Sequence, residues 1–211
     1  MRILNILKTD QYRPDFDTIE KAAEVLTKGG LIIAPTETNY GFLGRTDRDE
    51  VVKKIFNLKQ RSLNLPTAIF VRSLKEIDFL ADLNRTARKL ARTLLPGPLT
   101  LILSDRAGFP APIVTDHKIG IRYSSSPLID KIMNRVDFNL TATSANLSGQ
   151  PTPETIDIAA DIFGVKVDLY LDSGRLNSLP STVVDCTGEN YRILRTGVYG
   201  PDEIEKAMKE N

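Results

Sequence analysis

The 211-residue chain is 41% hydrophobic, and its 28 Lys plus Arg nearly cancel 27 Asp plus Glu. That length supports a sizeable core in one domain spanning 1–211, and the charge balance gives no general pull toward nucleic acid or an anionic membrane, so any basic site must be local. No apolar run approaches the roughly 18 residues needed to span a bilayer, and a single cysteine (Cys186) with a single histidine (His117) excludes an internal disulfide and a Cys/His zinc cluster, so a soluble, cytoplasmic protein is expected.

Residues 3–6 read as a short strand. Beginning at Asp17, the apolar residues Ile19, Ala22, Ala23 and Leu26 recur at helical spacing until Gly29 and Gly30 stop the helix. Residues 31–34 form an unbroken apolar run of strand length, halted by Pro35, and a second helix follows over 49–58 with Val51, Val52, Ile55 and Leu58 inward. Further strands are expected at 67–71, 99–103, 119–122, 139–142, 167–171, 182–185 and 191–194, and helices near 74–80, 85–94, 127–136, 153–163 and 201–209. Asn84 is a candidate N-cap, and Thr152 precedes Pro153 at the favoured first helical position. Strands alternating irregularly with helices imply an α/β sandwich on a mixed, twisted sheet.

Several polar islands interrupt these runs. Lys59 and Arg61 flank Gln60 just after a helix; two cations there can grip a triphosphate, or simply complement the helix macrodipole. No glycine-rich phosphate loop of either common kind occurs, so a bound nucleotide would have to be held by side chains. Residues 35–38, Pro-Thr-Glu-Thr, follow a buried-type strand, where threonine hydroxyls and a carboxylate either orient a zwitterion or make an ordinary turn. Arg122 ends a short apolar strand and must meet an anion, from a ligand or from the chain itself. The run Thr143-Ser144-Ala145-Asn146-Leu147-Ser148-Gly149 gathers short hydroxyl and amide groups that suit a base, ribose or phosphate, or a series of turns. Residues 95–100 read as a rigid turn, His117 as a surface turn and Cys186 as a small buried or half-buried thiol, while 173–180 reads as a mobile loop able to act as a lid.

Taken in order, the stretches PTETNYG, IFNLKQR, PGPLTLIL, IGIRY, TSANLSG, PSTVVD and ILRTGVY resemble the YrdC-like family of L-threonylcarbamoyladenylate synthases, from about Gly29 to Val198. The resemblance implies an α/β fold with a twisted, mixed, open sheet, flanking helices and a large, concave, locally positive cavity. It also implies a nucleotidyltransferase reaction in which L-threonine, bicarbonate and ATP give threonylcarbamoyl-AMP and pyrophosphate, for N6-threonylcarbamoyladenosine at position 37 of tRNA. By the same resemblance Thr38, Ser144 and Ser181 contact threonine, and Arg122 takes its carboxylate. Lys59, Arg61, Asn146 and Arg195 bind ATP, Lys59 and Arg61 also stabilising charge, and Mg2+ arrives on the triphosphate with no protein ligand. The threonylcarbamoyl transferase machinery would consume the product, no membrane is involved, and no additional C-terminal domain is expected.

The chain departs from that pattern at five positions. Gln60 and Ser62 fall where the family usually has KGRP, Thr67 and Phe70 where it commonly has Leu and His, and Pro180 where a glutamate is frequent. These changes resemble the YciO-like branch, so the alternatives are a paralogue acting on another substrate, or a module that binds tRNA or double-stranded RNA on the same concave surface. Lys59, Arg61, Ser144, Asn146 and Arg195 favour nucleotide chemistry, because shape-reading of RNA needs distributed cations.

Overall fold

The computed structural model describes residues 4–209. In chain order its main elements are β1 (Ile6–Lys8), α1 (Phe16–Thr27), β2 (Ile32–Pro35), β3 (Tyr40–Leu43), α2 (Asp49–Leu58), β4 (Ala68–Phe70), α3 (Leu74–Leu80), β5 (Ala81–Asp82) and α4 (Arg85–Leu94). There follow β6 (Leu99–Asp105), β7 (Val114–Thr115), β8 (Lys118–Arg122), α5 (Pro127–Met133), β9 (Leu140–Ser144), α6 (Ile156–Phe163), β10 (Leu169–Asp172), β11 (Thr182–Asp185), β12 (Arg192–Arg195) and α7 (Pro201–Lys209). One mixed sheet runs β1-β10-β2-β3-β9-β4-β8-β6-β11-β12, with β5 paired to β6 and β7 to β8. The strand expected at 3–6 starts at Ile3, outside the described residues, and the strand observed is Ile6–Lys8, parallel to β10.

Three apolar clusters cover the sheet. α1 and α5 pack Ile19, Leu26, Leu128 and Ile132 against β2, β9 and β10. α2 and α6 enclose Ile55, Ala159 and Phe163 around Tyr40 and Phe42, and α4 with α7 buries Leu90, Ala91 and Ile204 over Leu99, Leu101 and Val184. Caps fix the helix starts: Asp15 accepts from the Thr18 amide, Ser73 from Glu76, and Asn84 from Ala87 as expected.

Where the structure departs from the sequence reading, local chemistry explains it. β3 went unread because its Tyr-Gly-Phe-Leu sequence sits against a polar turn; Thr36 closes that turn, its amide and hydroxyl both donating to Asn39 O and its Oγ1 accepting from Asn39 N. α6 starts at Ile156 with Thr155 as N-cap, so Thr152 and Pro153 do not open it. Residues 154 and 155 turn instead toward the 173–180 loop, where Leu176 N donates to Glu154 O at 2.8 Å and Arg175 pairs with Glu154. α5 stops at Met133, three residues before the expected end. His117 is exposed at the tip of the β7–β8 hairpin with φ 57° beside Asp116 at 52°, a surface turn, while Cys186 is buried and its thiol is pushed up to about 12 by desolvation and then by Asp185.

α1 and α2 end in the same way. After α1, Gly29 takes φ 81°, its amide bonds to Leu26 O, and Gly30 N bonds to Val25 O. After α2, Gln60 takes φ 50°, its amide bonds to Asn57 O, and Arg61 N bonds to Phe56 O. This six-to-one bond reverses the chain between Lys59, which is buried, and Arg61, which is half-buried. Gln60, exposed and carrying a Cβ, holds a conformation that costs an L-residue roughly 1 kcal/mol more than glycine.

The 173–180 loop is tied at several points. Tyr40 Oη donates to Gly174 O at 2.7 Å and accepts from Ser173 N at 3.1 Å, and Asn39 Nδ2 donates to Ser178 O at 2.9 Å. Burial pushes the Tyr40 hydroxyl up to about 12, so it stays protonated. Tyr40→Phe should cost about 1–3 kcal/mol by stranding two backbone groups, and hydrogen exchange should accelerate at Ser173 and Gly174 ahead of the rest of the protein. Gln60→Gly should raise the melting temperature by about 2–4 °C, read by calorimetry, as the strain at this one position is relieved.

Candidate functional site

The middle of the sheet brings distant segments to one cavity of about 440 Å³. Antiparallel pairing of β3 with β9 sets Gly41 beside Ser144, and β4 carries Phe70 between Leu140 of β9 and Arg122 of β8. Gly41 keeps that approach close, because a Cβ would stand 3.1 Å from the backbone oxygen of Thr143 and press on it. Parallel pairing of β11 with β6 sets Val183 opposite Thr100, and β12 brings Arg195 alongside Val183. Thr38, Arg61, Arg122, Ser144, Asn146, Ser181 and Arg195 all line this cavity, together with Thr67, Thr100, Thr152 and Pro180.

Three guanidinium groups define its electrostatics. Arg61 donates through Nε to Leu65 O at 3.2 Å and through Nη2 to Pro66 O at 2.8 Å, so its own chain holds the side chain in place. Arg195 donates twice to Ser181 O, at 3.1 and 2.9 Å, and once to Ser181 Oγ at 3.1 Å. Its pKa is lowered by desolvation first, then by Arg122 and Arg61; that of Arg61 is lowered by desolvation. Mutual repulsion of this kind marks a place that an anion would relieve.

Arg122 forms a buried ion pair with Glu37, whose second oxygen accepts from Ser124 Oγ. The Arg122 guanidinium lies 5.1 Å from the Phe70 ring centroid, and its Nε is buried with no hydrogen-bond partner. Glu37 is therefore committed to the protein rather than to a ligand's ammonium group, while one donor of Arg122 is left over. The hydroxyls are similarly ordered: Thr38 Oγ1 lies 3.0 Å from Thr36 Oγ1 and accepts from Arg122 Nη2 at 3.4 Å, and Ser181 Oγ lies 2.9 Å from Thr100 Oγ1.

Lys59 lies behind the cavity wall. It is 1% exposed, and its ammonium donates to Ser144 O, to Asn146 O at 3.0 Å and to Asn146 Oδ1 at 3.0 Å. Its own carbonyl accepts from Ser148 N at 2.7 Å, so residue 59 clamps the 144–148 turn from both ends. Burial, with Arg61 adding repulsion, pushes this ammonium down to about 7, and the three oxygens around it oppose that fall by favouring the charged form. Asn146 Oδ1 also accepts from Ser144 Oγ at 2.5 Å, and Asn146 Nδ2 donates to Leu147 O at 2.9 Å, so this turn presents itself rigidly to the cavity.

Of the positions where the chain departs from its resemblance, Thr67, Phe70 and Pro180 lie on the cavity wall. Ser62 is exposed, lies off that wall and bonds locally to Asn64 N. Thr67 and Thr100 were not singled out as site residues by the sequence. Thr100 sits in the proline-rich turn that reads as architecture, and only the long-range pairing of β6 with β11 reveals its contact with Ser181. A second depression of about 670 Å³ opens on the far side of the 36–38 turn, under residues 173 and 175–178.

Residues 24–197 match the family described as Sua5/YciO/YrdC, telomere recombination. A Methanocaldococcus jannaschii protein is 36% identical over 184 residues, covering 85% of this chain and 87% of its own length. The threonylcarbamoyl-AMP synthase of Pyrococcus abyssi is 34% identical over 196 residues, covering 91% of this chain and 57% of its own. The crystal structure of P. abyssi Sua5 complexed with L-threonine superposes with a TM-score of 0.89 at 30% identity, over 99% of this chain and 62% of that one. This chain thus spans less than two thirds of the P. abyssi proteins it matches. No helix among the described residues is long and apolar enough to cross a membrane. With most of its length matched in sequence and its whole sheet matched in structure, the chain belongs to the Sua5/YciO/YrdC family.

Proposed function

We propose that this protein is an L-threonylcarbamoyladenylate synthase, a nucleotidyltransferase that turns L-threonine, bicarbonate and ATP into threonylcarbamoyl-AMP and pyrophosphate. The observation that carries the reading is the convergence of Arg61, Arg122 and Arg195 with Thr38, Ser144 and Ser181 on one cavity, where only Arg122 is matched by a buried carboxylate. Relatives that bear the synthase name, and a relative that holds L-threonine, support it.

In this reading the free Nε of Arg122 receives the threonine carboxylate, with Thr38, Ser144 and Ser181 orienting the rest of the amino acid. Arg61, Arg195 and Asn146 take the ATP side, and Lys59 acts through the turn that it clamps. The threonine amine forms a bond to the bicarbonate carbon and water leaves. A carbamate oxygen then bonds to the α-phosphorus as pyrophosphate departs. No side chain need form a covalent bond; positioning and charge neutralisation carry the step. Mg2+ enters this reading with the substrate, as Mg–ATP, where it would share the charge of the triphosphate with the guanidinium groups. The product would pass, in the cytoplasm, to the transferase machinery that modifies tRNA.

The direct test is pyrophosphate release by the pure protein with Mg–ATP: it should require both L-threonine and bicarbonate. ATP that binds without either compound stimulating release would point to a family member acting on a different amine. Arg61→Ala and Arg195→Ala should each weaken ATP binding by roughly tenfold to a hundredfold, measured by titration calorimetry, as expected for loss of a charged hydrogen bond of about 1.5–3 kcal/mol. Unchanged affinity in both variants would remove the triphosphate from this part of the cavity.

A further inference from the structure

Five residues of the cavity wall stand in one rank across the middle of the sheet. Phe70 of β4 is in register with Arg122 of β8, and Leu101 of β6 with Ile121, so Thr100 falls beside Arg122 as that antiparallel pair runs on. On its other side Thr100 is in register with Val183 of β11, and Val183 with Arg195 of β12. Neighbouring strands lie about 4.8 Å apart, which puts the backbone of Thr100 about 5 Å from that of Arg122 and about 10 Å from that of Arg195. Alternation along β6 turns Thr100 and Ile102 to the cavity and packs Leu99, Leu101 and Leu103 into the apolar cluster beneath α4 and α7.

The hydroxyl hydrogens at this point of the wall can be counted. A guanidinium offers no acceptor, so Ser181 Oγ accepts from Arg195 Nη2 at 3.1 Å. Ser181 Oγ and Thr100 Oγ1 lie 2.9 Å apart and use one hydrogen between them, but they carry two. Neither hydroxyl donates elsewhere among the described residues, although both side chains are buried. Accepting from a cation makes Ser181 the better donor of the pair. The hydrogen between the two oxygens therefore comes from Ser181, and the spare one belongs to Thr100. A line of donors from Arg195 through Ser181 thus ends on the cavity wall, beside Arg122, in an O–H that lacks an acceptor.

The substrate group at Arg122 is a carboxylate, which has two oxygens to be held. We propose that the Thr100 hydroxyl donates to one oxygen of the amino-acid carboxylate while Arg122 holds the other, making Thr100 a further substrate-binding residue and one that selects for the free acid. This rests on the synthase reading of the same cavity. A carboxamide in that place would turn an N–H donor toward one of the two donors, and a site built to hydrogen-bond a group rejects the analogue that cannot accept the bond.

Titration calorimetry with L-threonine and with L-threoninamide reads this contact without turnover. Thr100→Val keeps the shape and removes the hydroxyl; it should weaken L-threonine binding about tenfold while the affinities for ATP and for L-threoninamide stay within about twofold. Thr100→Ser should bind L-threonine as the unaltered protein does. Thr100→Ala also lacks the hydroxyl and carries the same expectation as Thr100→Val, so a packing fault in one variant does not decide the outcome. A threonine that serves only to support β6 would lower the melting temperature when replaced and leave L-threonine affinity alone, and that result overturns the proposal. So does an equal loss for L-threonine and L-threoninamide, or a loss that falls on ATP. Pyrophosphate release that needs L-threonine and bicarbonate, together with unchanged L-threonine affinity in Thr100→Val and Thr100→Ala, removes this inference alone. Failure of the unaltered protein to bind L-threonine removes the synthase reading, and this inference with it.

Discussion

The buried ammonium of Lys59 is the constraint on which the site depends. A cation taken out of water without a carboxylate beside it is normally expensive, and here three oxygens of residues 144 and 146 stand in for its hydration shell. The gain is structural. A polar turn is anchored to the end of α2, and the same helix terminus, reversed at Gln60, brings Arg61 to the cavity wall. One charged residue inside and one at the cavity therefore come from a single helix end.

With that frame in place, the cavity's charge is set by what its arginines lack. Glu37 neutralises Arg122, but Arg61 and Arg195 are satisfied only by carbonyl and hydroxyl oxygens, which accept hydrogen bonds without cancelling charge. A cavity with near-neutral protein around it and uncompensated guanidinium groups inside concentrates field where a phosphate chain would lie. Hydrogen bonds fix the geometry beforehand, so little side-chain freedom is left to lose when an anion arrives.

Much of the fold was legible because its signals are local. The cap at Asn84, the apolar spacing of α1 and the continuous apolar run of β2 are decided within a few residues. The site was legible as a set of polar islands, but their roles were not. Lys59 and Arg61 are two residues apart and look equivalent in sequence; only the positive φ at Gln60 separates a clamp from a cavity residue. Glu37 reads either as a ligand for a zwitterion or as part of a turn, until the end of β8 brings Arg122 and Ser124 to it. Thr152 reads as a helix cap until the pairing of Leu176 with Glu154 draws the chain away and Thr155 takes over. In each instance the deciding partner is remote in sequence or hidden in a backbone angle.

The placement of Arg195 has one more implication. The strand that carries it, β12, is the edge of the sheet, mostly exposed, joined to β11 through a short and irregular register, and Ser181 immediately precedes β11. Thr38, Ser144 and Arg122 stand instead on or beside central strands with neighbours on both sides. The two walls of the cavity accordingly belong to regions of unequal local stability. Fraying of the edge would dismantle the Arg195–Ser181 wall while the other remained intact, and an anion bridging the two would act as a staple, recruiting the periphery of the sheet into the cooperative unit formed by its centre.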